Sequence, residues 1–135
     1  MFEKLRENLS NSYAPYSNFH VSAILITKEG KEYSGVNIEN ASFGATICAE
    51  RVAITKAISE GENPKEFKEI HIICDSDKKA MPCFLCRQVF VEFFSSDVKI
   101  YVYNIFGDCE VYTLDEICPL PFSKEDLKWK VALLA

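Results

Sequence analysis

The strongest constraint on this chain comes from two short segments, Cys48-Ala49-Glu50 and Pro82-Cys83-Phe84-Leu85-Cys86. Together they offer three thiols and one carboxylate. If the three thiols act as a set, the fold must carry two distant segments into one coordination sphere. Three protein ligands leave the fourth tetrahedral position open for water, and that opening separates catalytic zinc from structural zinc. The Cys83/Cys86 pair alone also fits a redox dithiol or half of a closed structural site. A closed site needs a fourth Cys or His, and the two histidines are poorly placed for it. His71 sits inside the apolar run Ile70-His71-Ile72-Ile73, and His20 opens a strand far in sequence from both segments. Both read as structural residues.

The six cysteines come without a basic segment and apolar run after Met1-Phe2-Glu3-Lys4, the pattern of a secretory leader. Reduced thiols and a metal site are therefore expected, in a cytoplasmic protein, not a disulfide framework. Cys74, Cys109 and Cys118 receive no function, and Cys74 reads as a small core hydrophobe. With 135 residues, the chain is long enough for one domain with a real core, taken as residues 1–135. Acidic residues number 20 and basic ones 15, for a net charge of −5. That balance argues against a partner made of nucleic acid polymer, whose phosphates are gripped by clustered cations. Apolar stretches such as Val21 to Ile26 are far too short to span a membrane.

Periodicity supplies the frame. Phe2, Leu5 and Leu9 predict a short amphipathic helix over 2–12, ending before Ala14-Pro15. Residues 19–27 and 32–38 predict a hairpin about the turn Lys28-Glu29-Gly30-Lys31. Residues 45–60 predict a helix with Ile47, Arg51, Ile54 and Ile58 on one stripe and Gly61 as its stop. Residues 66–74 predict a strand covered on both faces. Residues 83–94 predict a second long helix, with Pro82 at its first position and Val89, Phe90 and Phe93 facing inward. Residues 99–103 and 110–113 predict strands about the turn Phe106-Gly107-Asp108, and Ser123 caps a last helix carrying Glu125 and Asp126 in its first turn. The result is an α/β domain, a mixed sheet with helices packed on its faces.

Both ligand segments fall at predicted helix N-termini, where backbone N–H groups and the helix dipole favour thiolates. Three thiolates on Zn²⁺ leave one net negative charge, so the site needs a cation behind it. Arg51 is the first candidate and Arg87 the second, each able to donate hydrogen bonds to the sulfurs. Glu50, two residues from Cys48, can reach the open position without binding the metal. A carboxylate there can take a proton from water and hand it to a substrate nitrogen. An isolated glutamate near a helix start would read as a solvated carboxylate; the neighbouring cysteines favour the catalytic reading.

A Cys-x-Glu segment followed by Pro-Cys-x-x-Cys is the signature of zinc-dependent nucleobase deaminases. The chain more broadly resembles the small cytidine deaminases. The similarity runs through Tyr13-Ala14-Pro15-Tyr16-Ser17-Asn18-Phe19, Gly35-Val36-Asn37-Ile38-Glu39-Asn40-Ala41-Ser42-Phe43, Cys48-Ala49-Glu50-Arg51 and Pro82-Cys83-Phe84-Leu85-Cys86-Arg87-Gln88. Cysteine in the first ligand position resembles the short homotetrameric class. The resemblance implies a three-layer α-β-α fold around a mixed five-stranded sheet. It implies zinc on Cys48, Cys83 and Cys86, with Glu50 as proton shuttle. It also implies Phe19 against the pyrimidine face, the Ala49 N–H on the base carbonyl, and Asn37 and Glu39 on the ribose hydroxyls. Ala41, Phe43 and Phe122 would reach a neighbouring subunit's pocket. A carboxylate beside the sugar suits a pyrimidine nucleoside and repels a 5′-phosphate or a polymer.

The implied reaction is hydrolytic deamination of cytidine and deoxycytidine to uridine, deoxyuridine and ammonia, in pyrimidine salvage. Another aminopyrimidine, such as a nucleoside antibiotic, is the nearest alternative substrate. A zinc-stabilised oligomer without catalysis and a redox module on Cys83/Cys86 are the alternatives of other classes. Three positions depart from the family pattern. Phe84 replaces a usual glycine after the first cysteine of the pair, where a positive φ or close backbone approach would make a ring strained. Phe43 stands where Tyr is frequent, and Ser22 where Gly is common.

Overall fold

The computed structural model describes residues 1–128. Five strands form one sheet: β1 (Val21–Thr27), β2 (Glu32–Val36), β3 (Phe67–Cys74), β4 (Lys99–Tyr103) and β5 (Cys109–Tyr112), in the order β2-β1-β3-β4-β5. β1 pairs antiparallel with both β2 and β3, β3 runs parallel to β4, and β4 pairs antiparallel with β5. The parallel pair requires a crossover, and helix α3 (Phe84–Phe93) makes it.

The sheet's two faces are filled by alternate residues, as strand geometry requires. Ala23 and Leu25 of β1, Ile70 and Ile72 of β3, and Ile100 and Val102 of β4 join one core with α2 (Ala49–Ser59) and α3. Phe90 anchors it, fully buried and stacked on Phe94 at 4.6 Å, with Phe67 edge-on to Phe94 at 6.2 Å. Truncating such a phenylalanine to alanine costs about 3–5 kcal/mol. Ile24, Ile73 and Tyr103 point to the other face, against Leu5 of α1 (Phe2–Asn8). His71 lies on that second face, buried, with Nδ1 2.7 Å from the Tyr103 hydroxyl and its ring stacked on Tyr101. It is a core histidine, as expected. The layers are therefore α, β, α.

Several boundaries differ from the sequence reading, each for a local reason. The second helix begins at Ala49, not at residue 45, because Phe43–Ala45 form a separate 3₁₀ turn and Ile38 pairs with Ile47 as an isolated bridge. Ile47 is thus outside the helix and exposed, and the buried side is Ala49, Glu50, Ala53, Ile54 and Ala57. Small residues prevail there because β2 comes very close. A Cβ on Gly35 would lie 2.5 Å from the Ala49 carbonyl and 2.6 Å from the Ala53 nitrogen, so only glycine fits. Pro82 precedes the cap of α3 instead of occupying its first turn. A short helix α4 (Leu114–Ile117) was not anticipated. Thr113 and Glu116 form a capping box around its start, and the Thr-x-x-Glu spacing was the available signal. Ser123 does cap the last described turn, a 3₁₀ stretch over Lys124–Lys128; any continuation of the expected last helix lies outside the described residues. Gly61, at φ +98°, ends α2 as expected.

Candidate active site

Both ligand segments do arrive at helix starts, by different routes. The chain leaving β2 is pinned by the Ile38–Ile47 bridge, with N···O distances of 2.9 and 3.0 Å, and enters α2 with Cys48 as cap residue. The chain leaving β3 turns through residues 75–82 and enters α3 with Cys83 as cap residue. Cap positions ordinarily carry a side chain that accepts from the first turn. Neither cysteine does so, and their sulfurs are turned toward each other. Cys48 Sγ and Cys83 Sγ are 3.7 Å apart, as are Cys83 Sγ and Cys86 Sγ, and all three lie within 4.8 Å of one another.

That spacing tests the metal directly. Sulfurs held at about 2.3 Å on a tetrahedral ion are separated by about 3.8 Å. The donor set, three thiols and no carboxylate, suits zinc over harder ions. Among the described residues, this is the one such group of His, Cys, Asp and Glu side chains. The cation expected behind the sulfurs is Arg51, whose Nη2 lies 3.5 Å from Cys48 Sγ. The Cys48 thiol is held below the usual thiol range by its hydrogen bond with Cys86, and by Arg51 and Cys83. Arg87 does something else. Its Nε donates to the Pro82 carbonyl at 2.8 Å and its Nη1 to the Ile117 carbonyl at 2.7 Å. It fastens the start of α3 to the end of α4 instead of touching the sulfurs.

Glu50 is 4% exposed, which rules out the solvated-carboxylate reading. Burial, with the Cys48 sulfur nearby, pushes its carboxyl up to about 7. It lines a cavity of about 330 Å³ together with Phe19, Asn37, Glu39, Cys48, Ala49 and Cys83. Cys48, Cys83 and Glu50 form one end of that cavity. The Ala49 N–H belongs to the first turn of α2, where backbone donors lack partners within the helix.

The other end is built from loops. Asn37 is buried; its Oδ1 accepts from the Ser12 hydroxyl and from the Val21 N–H at 2.9 Å, and its Nδ2 donates to the Phe19 carbonyl at 2.8 Å. The Glu39 carboxylate accepts from the N–H groups of Tyr16 and Ser17 and from the Ser17 hydroxyl. Ser12 and Ser17 were not singled out from sequence. Serine is too common in loops to signal such a role, and only the fold brings these two beside Asn37 and Glu39.

Ala41, Phe43 and Phe122 are not part of this cavity. All three are exposed, Phe43 to 77% and Phe122 to 60%. Phe43 lies edge-on to Tyr16, and the Phe122 carbonyl accepts from Gln88 Nε2. Phe84 carries no strain. Among the described non-glycine residues only Asn18 has a positive φ, and the Phe84 ring is 76% exposed under the Arg87 guanidinium. It is not among the residues that line the cavity.

Comparison with known proteins gives a consistent result. The family model described as "Cytidine and deoxycytidylate deaminase zinc-binding region" matches residues 1–102. A cytidine deaminase of Sporosarcina psychrophila is 41% identical over 127 residues, covering 94% of this chain and 90% of the relative. A cytidine deaminase of Halalkalibacterium halodurans is 43% identical over 116 residues, 86% of each chain. The crystal structure of cytidine deaminase from Burkholderia pseudomallei superposes with a TM-score of 0.85 at 37% identity, covering 90% of this chain and 95% of that one.

Proposed function

Since the chain belongs to the zinc-binding cytidine and deoxycytidylate deaminase family, we propose that it deaminates cytidine and deoxycytidine to uridine and deoxyuridine, releasing ammonia, in pyrimidine salvage. It is a hydrolytic enzyme of the cytidine deaminase type, and zinc is its cofactor. Cys48, Cys83 and Cys86 would hold the ion. When bound, zinc supplies a water of lowered pKa and hence a nucleophile at neutral pH. The chain's own residues do the rest. Glu50, buried beside the sulfurs, would hold the proton at its carboxylate, deliver it to N3 of the base and then help protonate the departing amine. The Ala49 N–H holds the base carbonyl and Phe19 lies against the pyrimidine ring. Asn37 and Glu39 hold the sugar. Arg51 balances the negative charge of three thiolates.

The observation that carries this reading is a buried carboxylate two residues after Cys48, one of three convergent thiols, in a cavity that Asn37 and Glu39 also line. The enzyme works as one domain over residues 1–135 in the cytoplasm and assembles as a homotetramer. Ala41, Phe43 and Phe122, exposed in one subunit, complete a neighbour's site. Among the described residues no helix is long and apolar enough to cross a membrane.

The test is direct. Purified protein mixed with cytidine should lose the cytidine absorbance as uridine accumulates. No turnover of cytidine by protein holding one zinc per chain would overturn the proposal.

A further inference from the structure

We propose that Ser17 is a positioning residue for sugar recognition: its hydroxyl joins the Glu39 carboxylate to the backbone of Phe19 and so fixes the acceptor that reads a substrate hydroxyl. The inference rests on the nucleoside reading above and deepens it. It begins from what the sugar end has left to offer. The Asn37 carbonyl oxygen already takes two hydrogen bonds, from Ser12 and Val21, and one of its two amide N–H bonds goes to the Phe19 carbonyl. One donor remains. Glu39 Oε1 takes two backbone N–H groups, from Tyr16 at 2.9 Å and Ser17 at 3.1 Å. Among the described residues, Glu39 Oε2 takes only the Ser17 hydroxyl. The free acceptor capacity of the pair is therefore concentrated on Oε2, and Ser17 is the residue that sets where Oε2 sits.

Ser17 is engaged from both sides. While donating to Glu39, its Oγ accepts from the Phe19 N–H at 3.0 Å. A hydroxyl has one proton, so with that proton on the carboxylate its lone pair is free to take the amide. The chain between the two residues is turned by Asn18, at φ 55°, a left-handed conformation that asparagine tolerates. Asn18 N–H closes the turn on the Ala14 carbonyl at 3.0 Å. Glu39 is correspondingly held below the usual carboxylate range, by the Ser17 hydroxyl first and by the Ser17 and Tyr16 N–H groups. One hydroxyl thus coordinates two cavity-lining residues, Glu39 and Phe19, that come from different loops.

A purely structural serine and a positioning serine predict different substrate dependence. The measurement is KM and kcat for cytidine, set beside the binding of 2′,3′-dideoxycytidine as substrate or competitive inhibitor, for wild type and Ser17→Ala. The expected result is a rise of about tenfold in KM for cytidine with kcat within about twofold, the lower end for losing a hydrogen bond to a charged group. The same variant should bind the dideoxy compound within about twofold of wild type, since that compound has no sugar hydroxyl at the 2′ or 3′ position for Glu39 to accept from. Ser17→Thr should restore most of the cytidine KM. An equal loss toward both compounds, or no loss toward either, overturns the inference. Should Ser17→Ala fail to fold, Ser17→Thr and Ser17→Val, alike in shape and different in the hydroxyl, carry the same comparison. Wild-type turnover of cytidine is the control. If it is absent, the nucleoside reading falls and this inference with it; if it is present and Ser17→Ala behaves as wild type, only the role of Ser17 falls.

Discussion

The two ends of the cavity are made in opposite ways. The zinc end is built on rigid elements: Cys48 and Cys83 cap two helices, Cys86 is fully buried in the first turn of α3, and Glu50 is buried in the first turn of α2. The proposed sugar end is built on loops, where Asn37 and Glu39 owe their places to side-chain and backbone hydrogen bonds from Ser12, Tyr16, Ser17 and Val21. Chemistry that tolerates little misplacement sits on helices, and binding that shares its energy among several contacts sits on loops. Damage at the first end should therefore appear in turnover or metal content, and damage at the second in KM.

The largest effect expected is from Glu50→Ala. Removing the proposed proton carrier should lower kcat by about 10⁴-fold, with zinc content and the melting curve preserved, measured by the cytidine absorbance assay beside metal analysis. A variant that turns over near the wild-type rate would remove Glu50 from the chemistry and erase the contrast between the ends. Next comes the metal itself. Zinc present at a thousand times its dissociation constant stabilises the fold by about 4 kcal/mol, so a strong chelator should lower the melting temperature by on the order of 10 °C. Excess zinc should restore it. An unchanged melting curve would mean that the folded chain binds the ion no more tightly than the unfolded chain does, and would remove zinc from the three thiols.

Arg51→Gln probes the zinc end from behind. The guanidinium is 3.5 Å from Cys48 Sγ, and loss of such a partner weakens metal affinity by about 10–100-fold. Competition against a chromogenic chelator would measure it. An unaltered affinity would leave the helix N-termini as sufficient compensation for the thiolates.

The same contrast explains what could be read from sequence. Helix starts, a Cys-x-x-Cys step and a Cys-x-Glu step are fixed local geometry, so the zinc end was legible from spacing, and strand periodicity placed all five strands. The Gly35 position is different. Its meaning is that a Cβ there would lie 2.5 Å from the Ala49 carbonyl, a crowding between β2 and α2 that no local pattern announces. Arg87 ranks second to Arg51 from sequence because both follow a ligand segment, but α4, itself signalled only by Thr113 and Glu116, draws Arg87 onto the Ile117 carbonyl. Phe84 looked strained because a glycine is usual there; its backbone is ordinary and its ring lies outside. Ser12 carries no signal, and Ser17 signals only as part of the Tyr13 to Phe19 segment, since their partners are 25 and 22 residues away.

Ser12→Ala is the smallest and sharpest test of the division. Ser12 ends the 3₁₀ turn that follows α1, and its hydroxyl donates to Asn37 Oδ1. Without it, Asn37 keeps the Val21 N–H at 2.9 Å and its own bond to the Phe19 carbonyl at 2.8 Å, so the amide cannot swing away. The cost should be that of one neutral hydrogen bond, about 1 kcal/mol. A few-fold rise in KM for cytidine should follow, with kcat and zinc content unchanged. Steady-state kinetics at several cytidine concentrations separates the two parameters. Because Asn37 shares this network with the backbone of Phe19 and Val21, a drop in kcat instead would show that the loops also position the base for proton transfer. The two ends would then act as one unit, and the loops would belong to the catalytic apparatus as fully as the helices do.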